Sequence, residues 1–291
     1  MAAQLLFAAL VSGSLYALVA LGLNLVYGTL RLLNIAHGDL VMLGGYVAFA
    51  AFSAFDISPL LSLFLAAALS AGLGLLVYVG LLRRLLGSPE LARRLEANSL
   101  ILFYGVSVVV QNVASLAFNP TARSYPYLTE IHHFLGVSAT GNRIFACAVA
   151  SLVCLAVALY LRFNLFGWSL MAVIERRDAA AVVGVNVEGV QAATIAAGFA
   201  IAGIAGVLVS MTEEITPFMG FPFTIAAFVV VILGGLGNIN VGILTGFALG
   251  AVETFGVALT SATNRSILIY GLFVGVLLLR PQGLFGKAAA R

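Results

Sequence analysis

The sequence predicts an all-α polytopic membrane protein of eight to nine transmembrane helices, with discontinuous segments that contain Gly and Asn. Three observations predict it: an apolar composition, long uncharged runs, and no strand-like alternation within those runs. Of 291 residues, 62% are hydrophobic and 9% charged, and mean hydropathy is +1.13. With the 31 Gly added and the 9 Tyr removed, the apolar share is roughly 70%, against about 45–50% in soluble domains, which also carry about 25% charged residues. Two Cys exclude a disulfide scaffold, and the hydrophobicity excludes disorder. Residues 1–291 read as a single transmembrane domain.

Uncharged runs cover 1–30, 40–55, 57–82, 97–122, 144–161, 189–212, 215–252 and 266–279. A spanning helix needs about 20 apolar residues to cross about 30 Å of hydrocarbon. Only helices or closed barrels satisfy every backbone polar group there, and these runs are too long and too evenly apolar for barrel strands. Spans are therefore predicted at about 5–27, 38–55, 60–82, 98–118, 143–161, 191–211, 240–260 and 264–280, with a shorter segment at 223–236. The first is expected to persist in the mature protein, because no basic residue precedes Arg31 and its apolar run is too long for a cleavable signal.

Basic residues orient these segments. Ten of the 14 Lys and Arg fall in three places: Arg83, Arg84, Arg93 and Arg94; Arg162, Arg176 and Arg177; and Arg280, Lys287 and Arg291. The positive-inside rule makes all three cytoplasmic, the C-terminus included. Arg123, Arg143 and Arg265 fall on the opposite side with Asp56, Glu130, Glu213 and Glu214. Parity between Arg177 and Arg280 then requires 223–236 to cross, and places the N-terminus outside. The net charge of +3 reports topology and gives no reason to expect nucleic acid.

Two stretches break the helical pattern. One runs from Tyr27 to Asp39 and contains Gly28, Asn34, His37 and Gly38; the other runs from Gly234 to Gly242 and contains Asn238 and Asn240. Interrupted segments in corresponding halves point to a transport pathway, because freed backbone groups are tolerated only against protein or water. The plainer alternative is a tight turn, with Asn34 and Asp39 capping the next helix. Arg, His and Asp so near hydrocarbon are costly, which favours the pathway for the first stretch. There, unpaired N–H groups at the start of the helix from Gly38, beside neutral His37 and Asn34, would offer donors to a carboxylate or carbonyl. Tyr27 and Asn24 adjoin this element on the first helix.

Glu253 is a candidate pathway residue, because an ionised carboxylate within a span costs about 2.5–3.5 kcal/mol on insertion scales; a paired, wet position near the helix end is the alternative. Gly242, Gly246 and Gly250, and again Gly271 and Gly275, form small-residue faces suited to helix packing or a subunit interface. Gln111 and Asn112 suit interhelical hydrogen bonds. His132 and His133 lack Cys or acidic partners at metal spacing, so no metal site is expected. Cys147 and Cys154, about 10.5 Å apart along one helix, are too distant for a disulfide.

No catalytic residue is identified. The chain lacks a phosphate-binding Gly-rich loop, a dinucleotide fingerprint, a zinc-protease helix and a nucleophile elbow. Any ATP-driven function therefore needs a partner to hydrolyse ATP, and no cofactor is expected. An intramembrane enzyme lacks a nucleophile with its base. A self-sufficient secondary transporter or channel should show an embedded charge relay, and only Glu253 qualifies. The loop at about 163–190 reads as one or two short Ala-rich helices stopped by Gly184. Its charged knot, Glu175, Arg176, Arg177 and Asp178, is flanked by apolar residues. Such a loop suits the membrane surface or a groove in a soluble subunit.

At Gly13 to Leu18, Leu25 to Gly28, Leu33-Asn34-Ile35-Ala36-His37-Gly38, Glu175 to Asn186, Leu233 to Asn238 and Arg280 to Gly286, the chain resembles the LivH-type permeases of bacterial branched-chain amino acid ABC importers. The Asn-x-Ala-His-Gly stretch is the most specific. The resemblance implies a helical permease in the inner membrane, paired with a second, related permease, two ATP-binding subunits and a periplasmic binding protein. It also implies that Glu175 to Gly184 is the coupling region seated on an ATPase, from which Trp168 and Met171 depart, since basic residues are expected there. Branched-chain or other hydrophobic amino acids are the expected solutes, with urea, short amides or aromatic acids as alternatives for the same family.

Overall fold

The computed structural model describes residues 2–279; Arg280, Lys287, Ala289 and Arg291 of the tail lie outside the described residues. Helix α1 (Ala2–Leu30) is the axis of the fold. Its 29 residues rise about 43 Å, and they are apolar on every face, so it has no side to turn toward water and is enclosed by its own chain. From Gly13 to Val26 every side chain is buried. The enclosing helices are α5 (Gly141–Phe163), α8 (Val187–Ser210), α9 (Gly220–Gly234) and α10 (Ile239–Leu259). The Gly242, Gly246 and Gly250 face of α10 lies on Asn24, Ala17 and Gly13 of α1, so it is consumed within the chain. Gly271 and Gly275 of α11 (Arg265–Leu279) face open space instead.

Around this centre, α2 (His37–Phe55) packs on α8 and α9. The long α3 (Pro59–Val77) continues through a π-helical turn at Tyr78–Leu82 to Leu86 and packs on α8. Helix α4 (Pro89–Phe118) begins well before the predicted 98, because Pro89 at its first turn starts a helix that carries Arg94 before the apolar run. Exposed Phe64, Leu76, Ile101, Leu116 and Leu152 on α3, α4 and α5 suit hydrocarbon contact. Among the described residues, seven helices are long and apolar enough to span a bilayer. Helices α9 and α11 have 15 residues each, about 22 Å of rise against about 30 Å of hydrocarbon.

The loop at 163–190 holds two short helices, α6 (Leu165–Glu175) and α7 (Arg177–Val182), and Gly184 at φ +89° ends the second as expected. Between α4 and α5 lies an unanticipated hairpin, β1 (Ile131–Phe134) paired antiparallel with β2 (Val137–Thr140). Its two central residues, Leu135 (φ +48°) and Gly136 (φ +77°), have the positive φ of a type I′ turn, whose twist matches the strands.

Hydrogen bonds sort the loops into two ends. At one, Gln4 bonds the Ser138 backbone, Arg123 pairs with Ile215, and Asn142 donates to Met211. At the other, Arg31 donates to Ile174, Arg177 to Thr29, and Arg83 to Glu188. This is the division that the charge pattern predicts.

Candidate translocation and coupling site

The first predicted break is real, and it runs deeper than a surface turn. Arg31, at φ +59°, ends α1, and the chain climbs back along it before α2 begins. His37 is fully buried, with its Nε2 3.1 Å from the carbonyl of Val19, near the middle of α1. Beside it begins α9, whose Phe223 ring lies 6.4 Å from that of Tyr16. Two helix N-termini therefore meet level with the middle of α1. A Cβ on Gly38 would fall on the Gly220 carbonyl, so only glycine permits this backbone contact.

The capping by Asn34 and Asp39 that the plainer alternative calls for is absent. Ala36 is the N-cap and no side chain caps α2. Instead the Gly38 N–H donates to Thr224 Oγ (2.9 Å), and that hydroxyl donates to the Ile35 carbonyl (3.1 Å). The Gly38 donor expected to be unpaired is thus held by Thr224 of α9. Asn34 Oδ1 and His37 Nδ1 are buried without partners. Asp39 Oδ1 accepts from Gln111 of α4 (3.0 Å), the interhelical bond anticipated for Gln111; Asn112 bonds back to Val108 of its own helix.

The second break is a tight turn, Gly235 to Asn238, with Gly235 at φ +89° and Gly237 at φ +85°. Asn24, buried on α1, staples it: its Oδ1 accepts from the Gly237 N–H (2.9 Å) and its Nδ2 donates to the Asn238 carbonyl (3.0 Å). Asn238 in turn caps α10 through the Val241 N–H. Tyr27 lies half-buried one turn further along α1.

Beneath this turn sits the charged knot. The Ile174 side chain lies against Gly28 and Gly237 at once. Arg177 is half-buried and donates to the Thr29 carbonyl (3.0 Å); with its amide turned to suit, Gln191 accepts from Arg177 (3.1 Å) and donates to Tyr78. Glu175, Arg176 and Asp178 are exposed, as are Trp168, Met171, Val182 and Val183. Both breaks and the 163–190 loop, far apart in sequence, therefore converge on Gly28 to Arg31.

Glu253 lies away from this junction. It is buried on α10 and bonds Arg265 Nε at a very short distance, while Arg265 also reaches the Tyr16 hydroxyl (3.0 Å) and Glu213 (3.7 Å). By sequence alone, Arg265 reads only as an external charge. The signal was present, since an embedded carboxylate calls for a cation and Arg265 lies on the same side. Thr224 was missed because one hydroxyl in an apolar run carries no pattern.

Residues 5–277 match the family described as branched-chain amino acid transport system, permease component. The chain is 31% identical to the high-affinity branched-chain amino acid transport system permease protein BraD of Pseudomonas aeruginosa, over 98% of the chain and 95% of the relative. It is 31% identical to the corresponding LivH protein of Escherichia coli over the same shares, and 29% identical to a probable LivH of Methanocaldococcus jannaschii over 97% and 92%. No solved structure matches the chain.

Proposed function

Because the chain belongs to the branched-chain amino acid transport permease family, we propose that it forms part of the translocation pathway of an ABC importer for branched-chain or other hydrophobic amino acids. In this reading it works in the bacterial inner membrane, with the C-terminus cytoplasmic. A second related permease, two ATP-binding subunits and a periplasmic binding protein complete the transporter. The chain carries no nucleotide motif, and the partners hydrolyse ATP.

The observation that carries the mechanism is the convergence on Gly28 to Arg31. Exposed Glu175, Arg176 and Asp178 meet the ATPase groove. Arg177 and Arg31 tie the same loop to the end of α1, so displacement of α6 and α7 moves α1. Asn24 passes that motion to the α9–α10 turn. At the other end of α9, the Gly38–Gly220 contact opens and closes the route. Asn34 and His37 hold unpaired polar atoms there, and such groups deep in a membrane belong where partners exchange.

The test is ATP-driven uptake of L-leucine by the reconstituted complex beside its ATPase rate. Replacing Glu175, Arg176, Arg177 and Asp178 with Ala together is expected to abolish uptake while the permease still inserts. Full uptake by that variant would falsify the coupling, and wild-type uptake without ATPase subunits would make the chain a self-sufficient transporter. For sidedness, a Cys at Ser88 should react with thiol reagents only from the cytoplasm, and one at Thr129 only from outside.

A further inference from the structure

The end opposite the basic loops carries a second feature that the coupling mechanism does not use. A cavity of about 810 Å³ opens there between the first turns of α1, the β-hairpin and the far end of α10. A smaller cavity of about 260 Å³ lies against the first turn of α9, lined by Met219, Phe223 and Ile269. Arg265 and Glu213 border both, and Glu253 borders the larger. One guanidinium thus borders two cavities and pairs with two carboxylates, both of which line the larger one.

These groups are incompletely matched to one another. The Glu253 side chain is only 5% exposed; its Oε1 holds Arg265, but its Oε2 is buried with no hydrogen-bond partner. A buried carboxylate oxygen left without a donor is unfavourable, and a cationic N–H is the donor that satisfies it best. Glu213 holds Arg265 at 3.7 Å, too long for a good hydrogen bond, and both side chains are over 40% exposed. A second carboxylate, approaching the guanidinium in its fork geometry, would displace that loose contact. The site therefore leaves one buried carboxylate oxygen without a donor, although Arg143 also lines the larger cavity, and it has room for one anionic acceptor at Arg265, which reaches the apolar wall of the smaller cavity.

We infer that Glu213, Arg265 and Glu253 form a recognition site for the zwitterionic head of an apolar α-amino acid. Arg265 takes the carboxylate, Glu253 and Glu213 take the ammonium group, and the Met219, Phe223 and Ile269 wall takes the side chain. This rests on the permease reading and places a selective station ahead of the Gly38–Gly220 contact. A purely structural ion pair joining α10 to α11 is the competing account; it predicts lost stability on mutation and no ligand selectivity.

The experiment uses the assembled transporter in nanodiscs without the binding protein, this chain carrying Cys147→Ser, Cys154→Ala and Thr254→Cys. Thr254 lines the larger cavity, so its labelling rate with a membrane-impermeant maleimide reports occupancy. L-leucine is expected to slow labelling, at concentrations at least tenfold below those needed by leucinamide, which lacks the carboxylate, or 4-methylpentanoate, which lacks the ammonium group. Glu253→Gln and Arg265→Gln should each weaken L-leucine protection at least tenfold, and Arg265→Lys less. The double variant Arg265→Gln/Glu253→Gln leaves no lone buried charge, so it keeps the test sharp if a single variant fails to assemble. Protection retained by that double variant, equal protection by the two half-ligands, or none by L-leucine overturns the site. L-leucine uptake without protection sinks the site and spares the permease reading, whereas protection without ATP-driven uptake does the reverse.

Discussion

The two breaks share a composition of Gly and Asn, yet the structure builds them oppositely. At Gly235 to Asn238 the backbone turns within four residues, and one buried side chain, Asn24, answers both a donor and an acceptor of the turn. At Arg31 to Ala36 the chain re-enters the protein, starts α2 level with the middle of α1, and leaves Asn34 Oδ1 and His37 Nδ1 unpaired. The second break is a satisfied joint. The first keeps polar capacity in reserve, and the proposed mechanism assigns the satisfied joint to transmitting motion and the unsatisfied one to meeting the solute.

Four substitutions test this contrast. The largest effect is expected from Gly38→Ala. Its Cβ would occupy the Gly220 carbonyl, and overpacking of backbone against backbone has no side chain to yield. Folded chain should fail to accumulate in the membrane, as measured by size-exclusion chromatography of the extracted protein. Next comes Asn24→Ala, which strands the Gly237 N–H and the Asn238 carbonyl. A loss of about 2 kcal/mol should appear as a lower thermal unfolding temperature, with uptake falling in parallel.

Gly237→Ala should cost less, about 1–2 kcal/mol, the strain of a left-handed residue with a Cβ. Its effect on uptake should not exceed that of Asn24→Ala. The smallest stability effect is expected from Asn34→Ala, about 1 kcal/mol or less, because losing an oxygen that has no partner offsets the small cavity left at this buried position. Uptake should nevertheless drop at least tenfold with assembly intact. If Asn34→Ala unfolds the chain, or leaves uptake untouched, the first break is as structural as the second and the contrast collapses.

Much of this architecture was legible beforehand. Uncharged runs located the spans, because hydrocarbon tolerates neither charge nor unpaired backbone. The short helices at 163–190 and their end at Gly184 were also readable, since Ala-rich periodicity and a following glycine are local signals. The Asn-x-Ala-His-Gly stretch marked the first break. The hairpin at 131–140 was not legible, because four-residue strands carry too little alternation to register.

By itself, then, the sequence determined what the bilayer selects: which segments are helical, which ends carry positive charge, and where the helices must stop. Those follow from the solvent acting on each segment independently of the others. Only the tertiary structure decided that α2 and α9 begin against one another, that Asn24 closes the turn at Gly237, and that Arg265 answers Glu253. Each joins residues on different helices, and no periodicity within one helix records which face of another it will meet. The unanswered oxygens of Asn34 and Glu253 became visible only once every neighbour was in place, because a missing partner is a property of the packed whole.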